Sequence, residues 1–185
     1  MTGRAGFLLA ALAGGAQTGA FAPTEAWPLQ IAAIALLVAM ALIDLDTKYL
    51  PDDLTYPLLW LGLLMAALGG TIPLSTAVWG VIAGYVPLWL IATGFALLMK
   101  RQGMGGGDLK LLAALGAWLG WQAILPIILI ASLVGLCVNV PRMLLGKHQR
   151  HQQYPFGPFL AGGGLFVMFV GNDTLLSWAG ISFGA

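Results

Sequence analysis

The stretch Ile31-Ala-Ala-Ile-Ala-Leu-Leu-Val-Ala-Met-Ala-Leu-Ile43 contains no polar side chain, and Asp44 closes it. A helix must keep about 20 mostly apolar residues in register to cross a hydrocarbon layer about 30 Å thick at 1.5 Å rise per residue. With its flanks this stretch reads as such a span over 28–45. Working outward, comparable runs occupy 5–22, 54–70, 72–99, 108–121, 122–145 and 156–180. Gly69-Gly70 with Pro73, Gly103 to Gly107, and Gly120-Trp121-Gln122 punctuate them. The expected fold class is therefore all-α, a polytopic transmembrane helix bundle of about six or seven spans. It is expected to form one membrane-embedded domain over residues 1–185.

Composition agrees. Apolar residues make up 59% of the chain and charged residues 8%, whereas a soluble domain carries about a quarter charged residues. So little charge cannot cover a water-facing surface, and the lipid bilayer is the expected partner. The net charge of +1 gives no bulk attraction to nucleic acid, which is not expected as a partner. Cys137 is the one cysteine, and His148 and His151 share a basic loop. No disulfide within the chain and no cysteine-rich metal site can form from these, and no cofactor is expected.

Three segments carry qualifications. The span at 108–121 is short and needs tilt or burial among neighbours. The last span has a possible break at Gly171-Asn172-Asp173. Residues 5–22 read either as a retained span or as a secretory signal ending at Ala20-Phe21-Ala22.

Charge sets the orientation. With connections numbered alternately, Arg4, Lys48, Lys100, Arg101, Lys110, Arg142, Lys147 and Arg150 all fall on one side. The 23–27, 69–73 and 120–122 connections hold no Lys or Arg. Lys and Arg accumulate on the cytoplasmic side, so the N-terminus and the 44–53, 100–110 and 141–155 loops are expected there. Asp44, Asp46, Asp52, Asp53 and Asp108 lie on the same side.

Carboxyls at membrane edges are costly and usually functional. Asp44 ends one span, and Asp108 opens another directly after Gly105-Gly106-Gly107. If they meet, two neighbouring carboxyls hold one proton between them around neutral pH. One can then take a proton from water while the other polarises a carbonyl, which is what peptide hydrolysis needs. The glycines free the backbone for positive φ and for close approach of another chain. The plainer alternative makes Asp108 a helix N-cap and Asp44 a helix-end charge reaching for water. Asp52 and Asp53, after Pro51, read as a helix start in which at least one caps.

Three blocks resemble the type IV prepilin peptidases, a family of GxGD intramembrane aspartyl proteases. The first runs from Ala41 to Leu64 and contains Asp44-Leu-Asp-Thr-Lys-Tyr-Leu-Pro51-Asp52-Asp. The second, from Gly103 to Trp121, contains Gly105-Gly-Gly107-Asp108-Leu-Lys110. The third is Tyr154-Pro-Phe-Gly-Pro-Phe-Leu-Ala161. The resemblance implies an endopeptidase of the bacterial inner membrane. It implies that a prepilin or pseudopilin loses its basic leader after a glycine, at the cytoplasmic face. It places the catalytic pair on Asp44 and Asp108, the motif glycines on Gly105 and Gly107, and a basic residue of open role on Lys110. That lysine could hold a carboxylate or a substrate group, and Asp52 is a further supporting candidate. Many members also carry an insertion near the N-terminus with two zinc-binding cysteine pairs, and they methylate the product. This sequence has no counterpart of those cysteines, so the resemblance carries over peptide cleavage and not methyl transfer. The chain reads as a peptidase core, either of a shorter subfamily or cut from a longer parent.

A proton-coupled transporter or channel is the alternative, since intramembrane carboxylates and glycine-broken helices also serve transport. No internal repeat is visible, and the carboxylates gather at one face rather than at mid-membrane.

Overall fold

Apolar runs punctuated by glycine and proline become six α-helices in the computed structural model, which describes residues 27–99, 105–144, 156–171 and Leu175. They are α1 (Trp27–Thr47), α2 (Asp52–Ala67), α3 (Leu74–Met99), α4 (Gly106–Leu119), α5 (Ile124–Leu144) and α6 (Gly157–Val170). A 3-10 turn, Trp121–Ala123, leads into α5. No strand occurs among the described residues. The expected span at 5–22, the histidine loop and Asn172-Asp173 lie outside them.

Among the described residues, three segments are long and apolar enough to cross a membrane by length and composition: Pro28–Thr47, Leu74–Met99 and Trp121–Pro141. The outward faces of these helices carry large apolar side chains such as Ile31, Ile91, Leu97, Leu129 and Leu133. In water these would be a liability; against lipid they are at home. The protein is a helical membrane bundle.

Packing centres on α4. It has 14 residues, about 21 Å at 1.5 Å per residue, and is too short to span alone. It lies against α2, α3 and α6, while α1 packs on α2 and α6, and α5 on α6. Every residue from Asp108 to Trp118 except Lys110 is buried. A helix surrounded by protein can be shorter than the bilayer, because its ends meet other helices rather than lipid.

Small residues let the backbones close in, as membrane interfaces require. The buried positions of α3 are Ala77, Gly80 and Gly84. A Cβ on Gly80 would collide with the Gly116 carbonyl, and one on Gly84 would lie 2.7 Å from the Leu112 carbonyl oxygen. Gly62 of α2 makes room for the Trp118 indole, whose Nε1–H donates to the Leu58 carbonyl oxygen at 2.9 Å.

The helix limits correct several expectations. α2 begins at Asp52 rather than 54, so Asp52 and Asp53 sit in its first turn. Its N-cap is Pro51, so neither aspartate is the cap residue. The N-cap of α4 is Gly105, so Asp108 is the third helical residue and not the cap. The helix expected over 108–121 ends at Leu119 because Gly120 adopts φ +80°, and the expected 122–145 span begins with the 3-10 turn. α6 ends at Gly171 with φ +84°, at the break the sequence suggested.

Candidate active site

The buried stripe of α1 is Gln30, Ala33, Leu37, Met40 and Asp44. Steps of three and four keep these residues on one helical face. Asp44 is thus the last member of a packing seam, turned inward although it stands one turn from the helix end. Its side chain keeps only 2% of its exposure. The chain then reverses. Lys48 takes φ +56°, its amide donates to the Asp44 carbonyl, and Thr47 Oγ1 donates to the Ile43 carbonyl. A left-handed residue after the last turn is a normal helix stop, here on a lysine rather than a glycine.

Asp108 approaches from α4 and is 9% exposed. Leu50 of the turn 48–51 abuts both Gly157, which lies beside the Asp44 carboxyl, and Gly107, which precedes Asp108, so the two carboxyls share one site although 64 residues separate them in sequence. α1 and α4 are not packed side by side; α2 and α6 stand between them. The pair therefore meets across the ends of those helices.

Two residues that sequence reasoning did not single out build the wall. A Cβ on Gly157, the first residue of α6, would fall 2.6 Å from Asp44 Oδ2 and 2.7 Å from Leu50 Cδ1. The Gly157 amide faces the Asp44 carboxyl, yet Oδ2 itself lies buried with no well-formed hydrogen bond among the described residues. Leu50, in the α1–α2 turn, is buried and also packs on Gly107, where a Cβ would meet Leu50 Cβ at 2.8 Å. Gly157 lies in the third block quoted above. Nothing in hydropathy marks Leu50, which is one leucine among many.

The glycines before Asp108 differ from expectation. Gly105, Gly106 and Gly107 are not among the residues with positive φ; Gly105 has φ −68°. Gly107 is required by the close approach of Leu50. Substituents on Gly105 and Gly106 would meet almost nothing: Asp108 Oδ2 at 3.8 Å for the first, and no neighbour within 4 Å for the second. Gly103 lies outside the described residues.

Lys110 and Asp52 come together. Lys110 Nζ lies 2.7 Å from both carboxylate oxygens of Asp52 and 5.3 Å from the Tyr56 ring centroid. Asp46 and Asp53 are exposed and stand apart from the pair. No cluster of three His, Cys, Asp or Glu side chains capable of holding a metal ion occurs among the described residues.

Two buried carboxyls in one site can divide the roles of proton acceptor and proton donor, which suits hydrolysis of a stable bond by water. Comparison with known proteins points the same way. The family model described as the type IV leader peptidase family matches residues 31–140. A prepilin leader peptidase/N-methyltransferase of Aeromonas salmonicida is 50% identical over 143 residues, 77% of this chain and 49% of that protein. Its namesake in Burkholderia pseudomallei is 46% identical over 170 residues, 92% of this chain and 55% of that protein. The one in Neisseria gonorrhoeae is 44% identical over 150 residues, 80% of this chain and 50% of that protein. The chain thus spans about half the length of the curated relatives it matches. No solved structure matches it.

Proposed function

This chain belongs to the type IV leader peptidase family, and on that premise we propose that it is a membrane-embedded aspartyl endopeptidase in which Asp44 and Asp108 are the catalytic residues. The observation that carries the proposal is the shared site. Two carboxyls from distant segments of the chain are buried around one turn leucine, Leu50, which abuts Gly157 beside Asp44 and Gly107 next to Asp108. Helix capping gives neither of them a reason to be buried.

In the proposed reaction the pair holds one proton. The ionised carboxylate takes a proton from water as the oxygen adds to the scissile carbonyl carbon. The protonated partner donates to the carbonyl oxygen, giving a tetrahedral diol. One carboxyl then gives its proton to the amide nitrogen while the other, ionised, takes a proton from a diol hydroxyl; the C–N bond breaks, and a carboxylic acid and an amine leave. Each proton lost by one carboxyl is regained by the pair.

The substrate we propose is a prepilin or pseudopilin with a basic leader, cut after a glycine at the cytoplasmic face of the bacterial inner membrane. The relatives' names support the substrate class, and the one-sided distribution of Lys and Arg supports the orientation. The proposal covers peptide hydrolysis alone.

The test is cleavage of a prepilin-type substrate with a Gly-Phe junction by the detergent-purified chain. Asp44→Asn and Asp108→Asn should each lower the rate by about a thousandfold or more, the scale on which a positioned acid or base contributes. Thermal unfolding of these variants should show the fold retained. Asp46→Asn and Asp53→Asn, at exposed positions, should keep substantial activity. Appreciable cutting by either member of the first pair overturns the assignment.

A further inference from the structure

We infer that the Lys110–Asp52 ion pair is a positioning strut that sets how Asp44 and Asp108 face each other, with neither of its residues taking part in the chemistry. The inference rests on the two-aspartate reading above and deepens it.

The first turn of α4 presents a mechanical problem. It must hold a buried carboxyl in place, yet it begins with two glycines after a glycine N-cap, and these contribute no side-chain contacts. Its N-cap makes no side-chain hydrogen bond. Glycine also gives up more backbone freedom on ordering than any other residue. Something outside the turn must fix it.

The structure shows two such attachments, and both come from the same corner. Leu50 packs on Gly107 from the α1–α2 turn. Two residues further along, Asp52 grips Lys110 through both carboxylate oxygens at 2.7 Å. Asp108 lies between the two anchor points in sequence. Successive helical residues turn by about 100°, so Asp108 and Lys110 project about 200° apart, on nearly opposite sides of α4. A pull on Lys110 therefore bears on how the first turn of α4 is set, and with it on the direction in which Asp108 points. At its other end the strut is tied to the first residue of α2, which the short turn 48–51 joins to the helix carrying Asp44. The pair thus links the two aspartate-bearing segments a second time, beside the contact of Leu50 with Gly107. Tyr56, one turn after Asp52 on α2, places its ring beside the ammonium and restricts the lysine from a second direction.

Burial argues against a role in bulk stability. The side chains of Lys110 and Asp52 keep 28% and 41% of their exposure. Partly exposed ion pairs contribute little to folding free energy. They can still fix the direction of the glycine-rich first turn, which the backbone-to-backbone packing at the far end of α4 does not reach.

The experiment measures kcat and KM separately for the full chain in detergent, with a prepilin-type substrate. Lys110→Gln and Asp52→Asn should each lower kcat about tenfold or more while KM moves less than about threefold, the signature of an interaction that serves the transition state rather than binding. The double variant should be no worse than the worse single one, because the second change removes nothing further. Lys110→Arg, which can still bind a carboxylate through two bonds, should keep more than about half of kcat. Unfolding temperatures should agree within a few degrees. Losses that multiply in the double variant, a change confined to KM, or unchanged kcat in both single variants would each overturn the strut; a KM effect alone would make Lys110 a substrate contact.

Should the neutral variants not fold, a salt titration decides. Raising sodium chloride to about 1 M, where charges are screened within about 3 Å, should lower kcat at saturating substrate for the unmutated chain. The Lys110→Arg chain should fall less. Identical flat responses overturn the inference. Asp44→Asn and Asp108→Asn separate the two questions. If either still cuts, the two-aspartate reading fails whatever Lys110 does. If both are inactive while the Lys110 and Asp52 variants match the unmutated chain, the strut alone falls.

Discussion

At its far end α4 is gripped by packing. Gly116 touches Gly80 backbone to backbone, Ala117 and Trp118 are buried, and the indole donates to a carbonyl of α2. At its near end three glycines precede a buried carboxyl whose neighbours are a leucine from a turn and another carboxyl, with an ion pair on the opposite side. The same 14-residue helix is thus a structural wedge at one end and a chemical instrument at the other. Close packing leaves no room for water, and hydrolysis requires it. The two ends divide these tasks, so damage to one should be separable from damage to the other.

The largest expected effect at the far end comes from Gly116→Leu. Its side chain would run into the Gly80 carbonyl, which cannot withdraw without moving α3. Overpacking of this kind costs about 3 kcal/mol or more where the clash is with backbone. Folded yield and unfolding temperature should fall sharply, and activity per folded molecule should fall little. A variant that folds well but cuts poorly would show that the two ends are coupled more tightly than their contacts indicate.

At the near end Gly107→Ala should do the reverse. Its methyl would press on Leu50 and so on the wall of the site. We expect about a tenfold loss of cutting with a small change in stability, of order 1 kcal/mol. Gly106→Ala, facing open space, should stay within about twofold and gain slightly in stability from lost chain freedom in the unfolded state. Equal effects at 106 and 107 would mean that the glycines serve flexibility rather than the fit of Leu50.

The smallest effect should be that of Trp118→Phe, which loses the hydrogen bond to Leu58 but keeps most of the ring. Hydrogen bonds between helices in a membrane are worth about 0.6 to 2 kcal/mol. The unfolding temperature should drop modestly and cutting should be nearly unchanged. A strong loss of activity would carry the influence of the packed end through to the carboxyls.

Much of this was legible in the chain. The six described helices fall on apolar runs visible without a structure, because lipid demands length and apolarity of every span. The limits moved by a few residues where local geometry won over hydropathy. Asp108 moved inside α4 because Gly105 takes the extended N-cap conformation, whereas Asp52 and Asp53 begin α2 after Pro51 as the sequence read them. Asp44 and Asp108 stood out as ionisable groups at helix ends. Leu50 did not, since a turn leucine beside a span looks like any other apolar residue. Nor did the role of Gly157, which depends on a helix more than a hundred residues from Asp44.

Hydropathy and charge by themselves determined that the chain is a membrane protein and roughly where its helices lie, and they singled out the carboxyls at the span ends. Only the tertiary structure decided which side of α1 turns inward, that Asp44 continues that seam, and that the α1–α2 corner grips α4 on both sides of Asp108. The reason is the solvent. In water, a helix shows its buried side by being apolar there and polar elsewhere. In lipid, both sides are apolar, so neighbours are chosen by the fit of glycines and alanines against backbone, and that fit exists only once the helices are assembled.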